Sequence, residues 1–134
     1  MSNFLGLEHI GIMTDDIEAS KNFYMSLLDF EFDYEKQIDL QDGNTLKIAF
    51  IRLNDLTIEL LENSTPGAGK SGNDGACDHF TIKVKNLDFI QKQMESRGVI
   101  FEQQPRKIQN NKNGAQISFF RGPSGERIEL MESF

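Results

Sequence analysis

The chain repeats one pair of residues with metal-binding chemistry, a histidine and a glutamate, at a fixed spacing. His9 and Glu59 are fifty positions apart, and so are His79 and Glu129, seventy positions further along the chain. His9 and His79 are also the only two histidines among the 134 residues. Neutral imidazoles and carboxylates together suit a divalent first-row metal ion. The repeat therefore predicts a metal ion held by one His–Glu pair from each half.

The neighbours of the two glutamates indicate which way their side chains point. Glu59 and Glu129 each stand between two aliphatic residues in a segment with the composition of a β-strand. Since successive side chains of a strand alternate between faces, each glutamate faces a site while its neighbours face a core. Burying an unpaired carboxylate is costly, so a ligand role explains both glutamates. Glu62 and Glu132 also repeat, but they have the opposite parity, and we predict that they are solvated.

The hydrophobic pattern predicts the same order of elements in both halves: a strand, a helix, then three strands. The first helix is predicted to begin after Thr14-Asp15-Asp16, and the second to end at Arg97-Gly98. The predicted strands are 5–13, 30–38, 46–53 and 56–61 in the first half, and 77–84, 99–103, 115–121 and 127–131 in the second. All four candidate ligands fall within these predicted strands.

One pair of matching segments departs from the interval of seventy. Ile48-Ala49-Phe50-Ile51-Arg52 resembles Ile117-Ser118-Phe119-Phe120-Arg121 at an interval of 69. A one-residue difference inside a strand would move every later side chain to the other face. We therefore predict that the following hairpin loop is one residue longer in the second half.

The domain organisation follows from the repeat. We predict a first module at residues 1–62, a glycine-rich connector at 63–76 and a second module at 77–134, together forming one structural domain. A unit of about 65 residues is marginal by itself, so the modules are expected to pack on each other or on a second chain.

Composition excludes several classes of function. A net charge of −7 and a pI near 4.8 exclude the basic surface that a nucleic acid requires. No apolar segment approaches the ~20 residues that span a bilayer, and the N-terminus lacks the pattern of a signal peptide. A single cysteine cannot form an internal disulfide. We expect a cytoplasmic protein that binds neither membrane nor nucleic acid.

Several segments resemble one known superfamily over nearly the whole chain. LEHIGI (7–12), FYxxLL (23–28), GPSG (122–125) and IEL (128–130) are similar to segments of the vicinal oxygen chelate superfamily, also called the glyoxalase/bleomycin resistance/dioxygenase group. The resemblance implies an α+β fold in which two tandem βαβββ modules form cupped mixed sheets around a metal site. It also implies a homodimer, with each metal site lying either within one chain or across two.

Within this superfamily, the ligand set most resembles that of bacterial glyoxalase I. His9, Glu59, His79 and Glu129 match its His-Glu-His-Glu pattern. The resemblance implies isomerisation of a methylglyoxal–thiol hemithioacetal to a lactoyl thioester through an enediolate, with glutathione as a candidate thiol. The compact length resembles that of the nickel- or cobalt-using branch, which implies one of these metals, and zinc is the alternative. Glu129 is the preferred base, with Glu59 acting on the other face of the substrate or remaining a ligand.

One position departs from the glutathione-using relatives. They place an arginine four residues after the first histidine, where this chain has Met13. Lys83 is the repeat-equivalent cation, and Asn63 matches a position that contacts the thiol in relatives, so both are candidate cofactor-binding residues. Arg106, Lys107 and Lys112 are further candidate cations in a loop.

Two other activities fit the same resemblance. A methylmalonyl-CoA epimerase would use the same ion and base, although such enzymes usually have glutamine in place of Glu59. A resistance protein that sequesters a small molecule would use aromatic surface, and the chain has 11 phenylalanines. Stoichiometric bound metal distinguishes an enzyme from a sequestering protein.

Overall fold

The computed structural model describes residues 3, 7–65, 79–108 and 113–134. Contacts between Cα atoms divide the chain into two compact units, Met1–Asp74 and Gly75–Phe134. Over its described residues, each unit has one helix and a four-stranded mixed sheet in the order strand, helix, three strands. The predicted α+β fold of two tandem βαβββ modules is confirmed. The proposed connector at 63–76 lies mostly outside the described residues.

The first unit places the strand that bears Glu59 beside the strand that follows His9. Its elements are β1 (Ile10–Met13), α1 (Ile17–Leu27), β2 (Glu31–Asp39), β3 (Thr45–Leu53) and β4 (Leu56–Asn63). The strand order is β1-β4-β3-β2, with β1 parallel to β4 and the other pairs antiparallel. The parallel pairing of β1 and β4 brings residues from opposite ends of the unit together.

The second unit repeats this arrangement. Its elements are β5 (Phe80–Lys83), α2 (Leu87–Ser96), β6 (Arg106–Ile108), β7 (Ala115–Arg121) and β8 (Arg127–Ser133). The strand order is β5-β8-β7-β6, and β5 runs parallel to β8. Its outer strand β6 pairs antiparallel with β7, as the equivalent β2 does with β3.

The predicted alternation of side chains around Glu59 and Glu129 is confirmed by the burial of their neighbours. Ile58 and Leu60 are fully buried on either side of Glu59, and Ile128 and Leu130 are equally inaccessible on either side of Glu129. β4 and β8 thus direct the two aliphatic neighbours of each glutamate to one face and the glutamate itself to the other.

One predicted strand is wrong, and two others are shorter than predicted. Residues 99–103 do not form a strand; Phe101 makes a single bridge to Phe120, and the strand of this region is β6. The intervening Pro105 lacks a backbone N–H and therefore cannot continue a ladder. β1 and β5 begin at Ile10 and Phe80, so both histidines lie one residue before a strand rather than within it.

The hairpin loops absorb the one-residue offset, as predicted. Arg52 pairs with Thr57, whereas the equivalent Arg121 pairs with Arg127, one position further on. Beyond the loops, Phe50 pairs with Glu59, and Phe119 pairs with Glu129. The second half therefore recovers the register of the first at the candidate ligand.

The prediction that Glu62 and Glu132 are merely solvated is wrong. Glu62 Oε1 accepts a hydrogen bond from the backbone N–H of Ile17, the first residue of α1, at 2.8 Å. Glu132 accepts from the backbone N–H groups of Asn86 and Leu87 at 2.9 and 3.2 Å, at the start of α2. Each glutamate satisfies N–H groups that a helix leaves unpaired at its N-terminus, where negative charge is also favourable. Both residues are structural caps on the sheet face opposite the ligands.

The cap formed by Glu132 predicts an acid-sensitive loss of stability. The hydrogen bonds from Asn86 and Leu87 lower the pKa of the Glu132 carboxyl. A lowered folded-state pKa stabilises the fold above the unfolded pKa of about 4.3, and this contribution disappears as pH falls through the folded-state value. Glu132→Gln is therefore expected to be less stable than wild type at pH 7, with the difference closing below pH 4.3. Urea unfolding between pH 3 and 7 measures this difference.

The matched control for this experiment is Glu95→Gln, which removes one carboxylate from an exposed position of α2. A pH-dependent loss of stability as large in Glu95→Gln as in Glu132→Gln would contradict the capping role.

Candidate metal site

In the first unit, the parallel pairing of β1 and β4 places His9 next to Glu59. Gly11 is the residue of β1 directly in register with Glu59, and His9 lies two positions before it. His9 Nε2 is 3.8 Å from Glu59 Oε2, and the two side chains are 35% and 20% exposed. The other ring nitrogen, Nδ1, lies 3.5 Å from Glu8 Oε1. The pair is accessible to an ion and close enough to share one.

In the second unit, β5 and β8 bring His79 next to Glu129 in the same way. His79 Nε2 is 3.4 Å from Glu129 Oε1, and the side chains are 33% and 8% exposed. Thr81 is in register with Glu129, and its hydroxyl donates a hydrogen bond to Glu129 Oε1 at 2.5 Å. The carboxylate is thus more buried and more constrained than its counterpart Glu59.

A phenylalanine on the middle strand supports each imidazole. The ring centroid of Phe50 on β3 is 5.9 Å from that of His9, and the centroid of Phe119 on β7 is 5.4 Å from that of His79. Both ring pairs are nearly perpendicular, at 89° and 87°. An edge contact of this kind orients a histidine without using either ring nitrogen. Sequence patterns alone indicate no role for these phenylalanines, although both occur in the segments repeated at an interval of 69.

The residues behind the two phenylalanines differ. Tyr34 of β2 stacks on Phe50, with centroids 4.7 Å apart and an angle of 23°. In the second unit, the guanidinium of Arg127 lies 3.9 Å from the centre of the Phe119 ring. Two hydrogen bonds of 3.0 Å to Glu102 hold that guanidinium in place. The first unit therefore has further aromatic surface behind the phenylalanine that contacts its histidine. The second unit has a guanidinium there, and its charge is balanced by the Glu102 carboxylate.

The separations within both pairs are compatible with metal ligation. Two ligands at about 2.1 Å from one ion, at roughly 90–109° to each other, lie about 3.0–3.4 Å apart. The His79–Glu129 pair already meets this condition, and the His9–Glu59 pair requires its groups to approach by a few tenths of an ångström. Imidazole nitrogen with carboxylate oxygen is a suitable donor set for nickel, cobalt or zinc.

Each unit brings together two of the four predicted ligands. Among the described residues, no three His, Cys, Asp or Glu side chains are arranged to hold a metal ion. The set His9, Glu59, His79 and Glu129 therefore stays a prediction as a four-ligand site.

The candidate cofactor-binding residues lie at strand ends. Asn63 is the last residue of β4, one beyond the predicted end of the first module, and its side-chain oxygen accepts from the backbone N–H of Thr65 at 2.8 Å. Lys83 ends β5, is exposed and has the same strand parity as Thr81. Met13, at the position where relatives have arginine, is paired with Leu61. Arg106 and Lys107 are exposed on β6, and Lys112 lies outside the described residues.

A repeated βαβββ unit, with its first and last strands paired in parallel, is the fold of the glyoxalase class of proteins. Residues 6–130 match the model of the Glyoxalase/Bleomycin resistance protein/Dioxygenase superfamily, and the chain belongs to this superfamily. The sequence-based resemblance is thereby confirmed. No curated protein sequence matches the chain.

Solved structures show the same fold over nearly the full chain. A glyoxalase family protein from Enterococcus faecalis has 22% identity and a TM-score of 0.72, covering 96% of this chain and 98% of its own. The fosfomycin resistance protein FosX from Listeria monocytogenes has 16% identity and a TM-score of 0.69, with coverages of 98% and 95%. A glyoxalase I mutant from Zea mays has 18% identity and a TM-score of 0.69, covering 92% of this chain and 43% of that one.

The superfamily includes enzymes such as glyoxalase I, and its members typically use a divalent metal ion. Neither of the helices in the described part of the chain is long and apolar enough to cross a membrane.

Proposed function

We propose that this protein is a metal-dependent lyase of the glyoxalase I type, which isomerises a methylglyoxal–thiol hemithioacetal to a lactoyl thioester. The observation that supports this proposal is the same in both units. A histidine just before one strand and a glutamate on the strand beside it lie 3.8 Å apart in the first unit and 3.4 Å apart in the second. Imidazole and carboxylate at such separations would supply one half of the proposed divalent metal site.

The proposed ligands are His9, Glu59, His79 and Glu129, with nickel or cobalt preferred and zinc as the alternative. When bound, the ion would act as a Lewis acid that stabilises negative charge developing on the two vicinal oxygens of the substrate. Its ligands would come from one chain or from two chains of a homodimer.

The side chains around these ligands have separate proposed tasks. Phe50 and Phe119 hold the two imidazoles at fixed angles by their edge contacts. A carboxylate, either Glu59 or Glu129, removes the proton from one substrate carbon and returns it to the neighbouring carbon. Lys83 and Asn63 are proposed to bind the thiol part of the substrate, where the exposed ammonium of Lys83 suits a carboxylate.

The test of this proposal is metal-dependent turnover. Protein stripped of metal is reconstituted with nickel, cobalt or zinc and supplied with the hemithioacetal of methylglyoxal and glutathione, and thioester formation is followed by absorbance. We expect turnover that requires added metal and is greatest with nickel or cobalt. The metal-stripped protein is the matched control.

Absence of turnover by protein that binds stoichiometric nickel would overturn the proposed reaction. Epimerisation of methylmalonyl-CoA by the same preparation would then identify an epimerase. Protein that binds no divalent metal would instead indicate a sequestering role.

A further inference from the structure

The two His–Glu pairs have the same residue types and spacing, but their surroundings differ at one position. This is the residue of the neighbouring parallel strand that lies in register with the glutamate. That residue is Gly11 opposite Glu59 and Thr81 opposite Glu129. The Thr81 hydroxyl donates a hydrogen bond of 2.5 Å to Glu129 Oε1. Glycine has no side chain to make the equivalent bond. The repeat therefore has one carboxylate with a hydroxyl partner on the neighbouring strand and one without.

The hydrogen bond from Thr81 constrains Glu129 at the carboxylate oxygen that lies beside His79. The same Oε1 atom lies 3.4 Å from His79 Nε2, so the threonine hydroxyl and the imidazole both lie close to this one oxygen. Threonine is β-branched, and its restricted χ1 angle keeps the hydroxyl in place. A hydrogen bond to an ionised acceptor is stronger than one between neutral groups. Glu129 is therefore preset in one orientation.

Glu59 has more room to move. Its side chain is 20% exposed, against 8% for Glu129. A Cβ atom added at Gly11 would lie 3.9 Å from Glu59 Oε1 and 3.5 Å from Leu61 Cδ1, which are ordinary contact distances. The space beside the Glu59 carboxylate therefore admits at least a methyl group, and glycine leaves it open.

We propose that Thr81 is a positioning residue that fixes Glu129 as the permanent ligand, and that Gly11 leaves Glu59 as the carboxylate free to move the substrate proton. This inference rests on the proposed function and reverses the preference for Glu129 as base that the sequence suggested. Groups that orient a ligand typically contribute 10–100-fold to metal affinity or activity, so a single hydroxyl is sufficient to divide the two roles.

The first test needs no metal and no substrate. Protein labelled with ¹³C in the glutamate side chains is studied by NMR relaxation of the γ-methylene groups of Glu59 and Glu129. We expect Glu129 to be the more ordered of the two in wild type and to lose that order in Thr81→Val. Thr81→Ser, which retains the hydroxyl, should keep it. Equal order of the two glutamates in wild type, or unchanged order of Glu129 in Thr81→Val, would overturn the proposal.

The second test exchanges the two environments and measures nickel affinity separately from turnover. Thr81→Val is expected to weaken nickel binding by about 10–100-fold, and Thr81→Ser should restore it. Gly11→Thr is expected to lower kcat without weakening nickel binding, because its hydroxyl would hold Glu59 in place. Gly11→Ala is the matched control, since it fills the space without adding a hydroxyl. Wild-type nickel affinity in Thr81→Val would overturn the proposal.

The two tests separate this inference from the proposed function. Wild-type protein that binds no nickel would overturn the proposed function, whereas the NMR result in metal-free protein decides the role of Thr81 independently. Thr81 lies on an exposed strand face, so its replacement by valine leaves the core intact.

Discussion

Replacing Glu59 with glutamine is expected to lower kcat by about 10²–10⁴-fold, the usual contribution of a positioned general base. Glutamine has nearly the same size as glutamate and can still contact the ion through its amide oxygen, but it cannot accept the substrate proton. Nickel affinity should therefore change by less than about tenfold, below the range typical for loss of a group that orients a ligand. Parallel measurements of kcat and of nickel binding by competition with a chelator test this expectation.

Glu129→Gln provides the reciprocal comparison. Because Glu129 is held by Thr81 and lies 3.4 Å from His79, its replacement should weaken nickel binding more than Glu59→Gln does. Glu62→Gln is the matched control, since it removes one carboxylate from the same strand β4 on the opposite face. It should lower stability and leave nickel affinity unchanged. A larger loss of kcat in Glu129→Gln than in Glu59→Gln, at saturating nickel, would reverse the assignment of the two carboxylates.

Leu130→Ala is expected to lower the free energy of unfolding by about 2–5 kcal/mol, the usual cost of truncating a buried leucine. Leu130 is 1% exposed and lies next to Glu129 on β8, with its side chain in the core of the second unit. A loss of this size is a large part of the roughly 5–15 kcal/mol that stabilises a typical domain. Urea or thermal denaturation of the metal-free protein measures it directly.

Met131→Ala is the control for this core substitution, because Met131 is the next residue of β8 but is only half-buried. Its effect on the free energy of unfolding should be clearly smaller. Comparable losses in the two variants would show that alternation along β8 does not divide the strand into a core face and a site face.

Much of the fold follows from patterns that are local in the sequence. The alternation around Glu59 and Glu129 predicts which face each side chain takes, because a strand has a period of two. The cluster Thr14-Asp15-Asp16 predicts the start of α1, and Asp16 indeed caps it by accepting a hydrogen bond from the Ala19 N–H. These features depend only on neighbouring residues, so no knowledge of the tertiary structure is needed.

Other features depend on contacts between distant segments, which local sequence patterns do not reveal. Glu62 and Glu132 lie on the face opposite the ligands, as their strand parity predicts. Their capping roles could not be predicted, because they require the helix starts to lie against the ends of β4 and β8. The difference between Gly11 and Thr81 is visible in the sequence, since each lies two positions after a histidine. Its meaning depends on the register of the parallel strands, which sequence alone does not supply.

The strand β8 has its site residue and its helix cap only three positions apart, and β4 has the same arrangement. A one-residue deletion between Glu129 and Glu132 would therefore place both glutamates on the same face, so that either the site carboxylate or the helix cap is lost. A length change in the hairpin that precedes each strand would leave both roles intact, and the two halves already differ by one residue there. Insertions and deletions that such a repeated fold tolerates should accordingly fall in the hairpin loops rather than in these two strands.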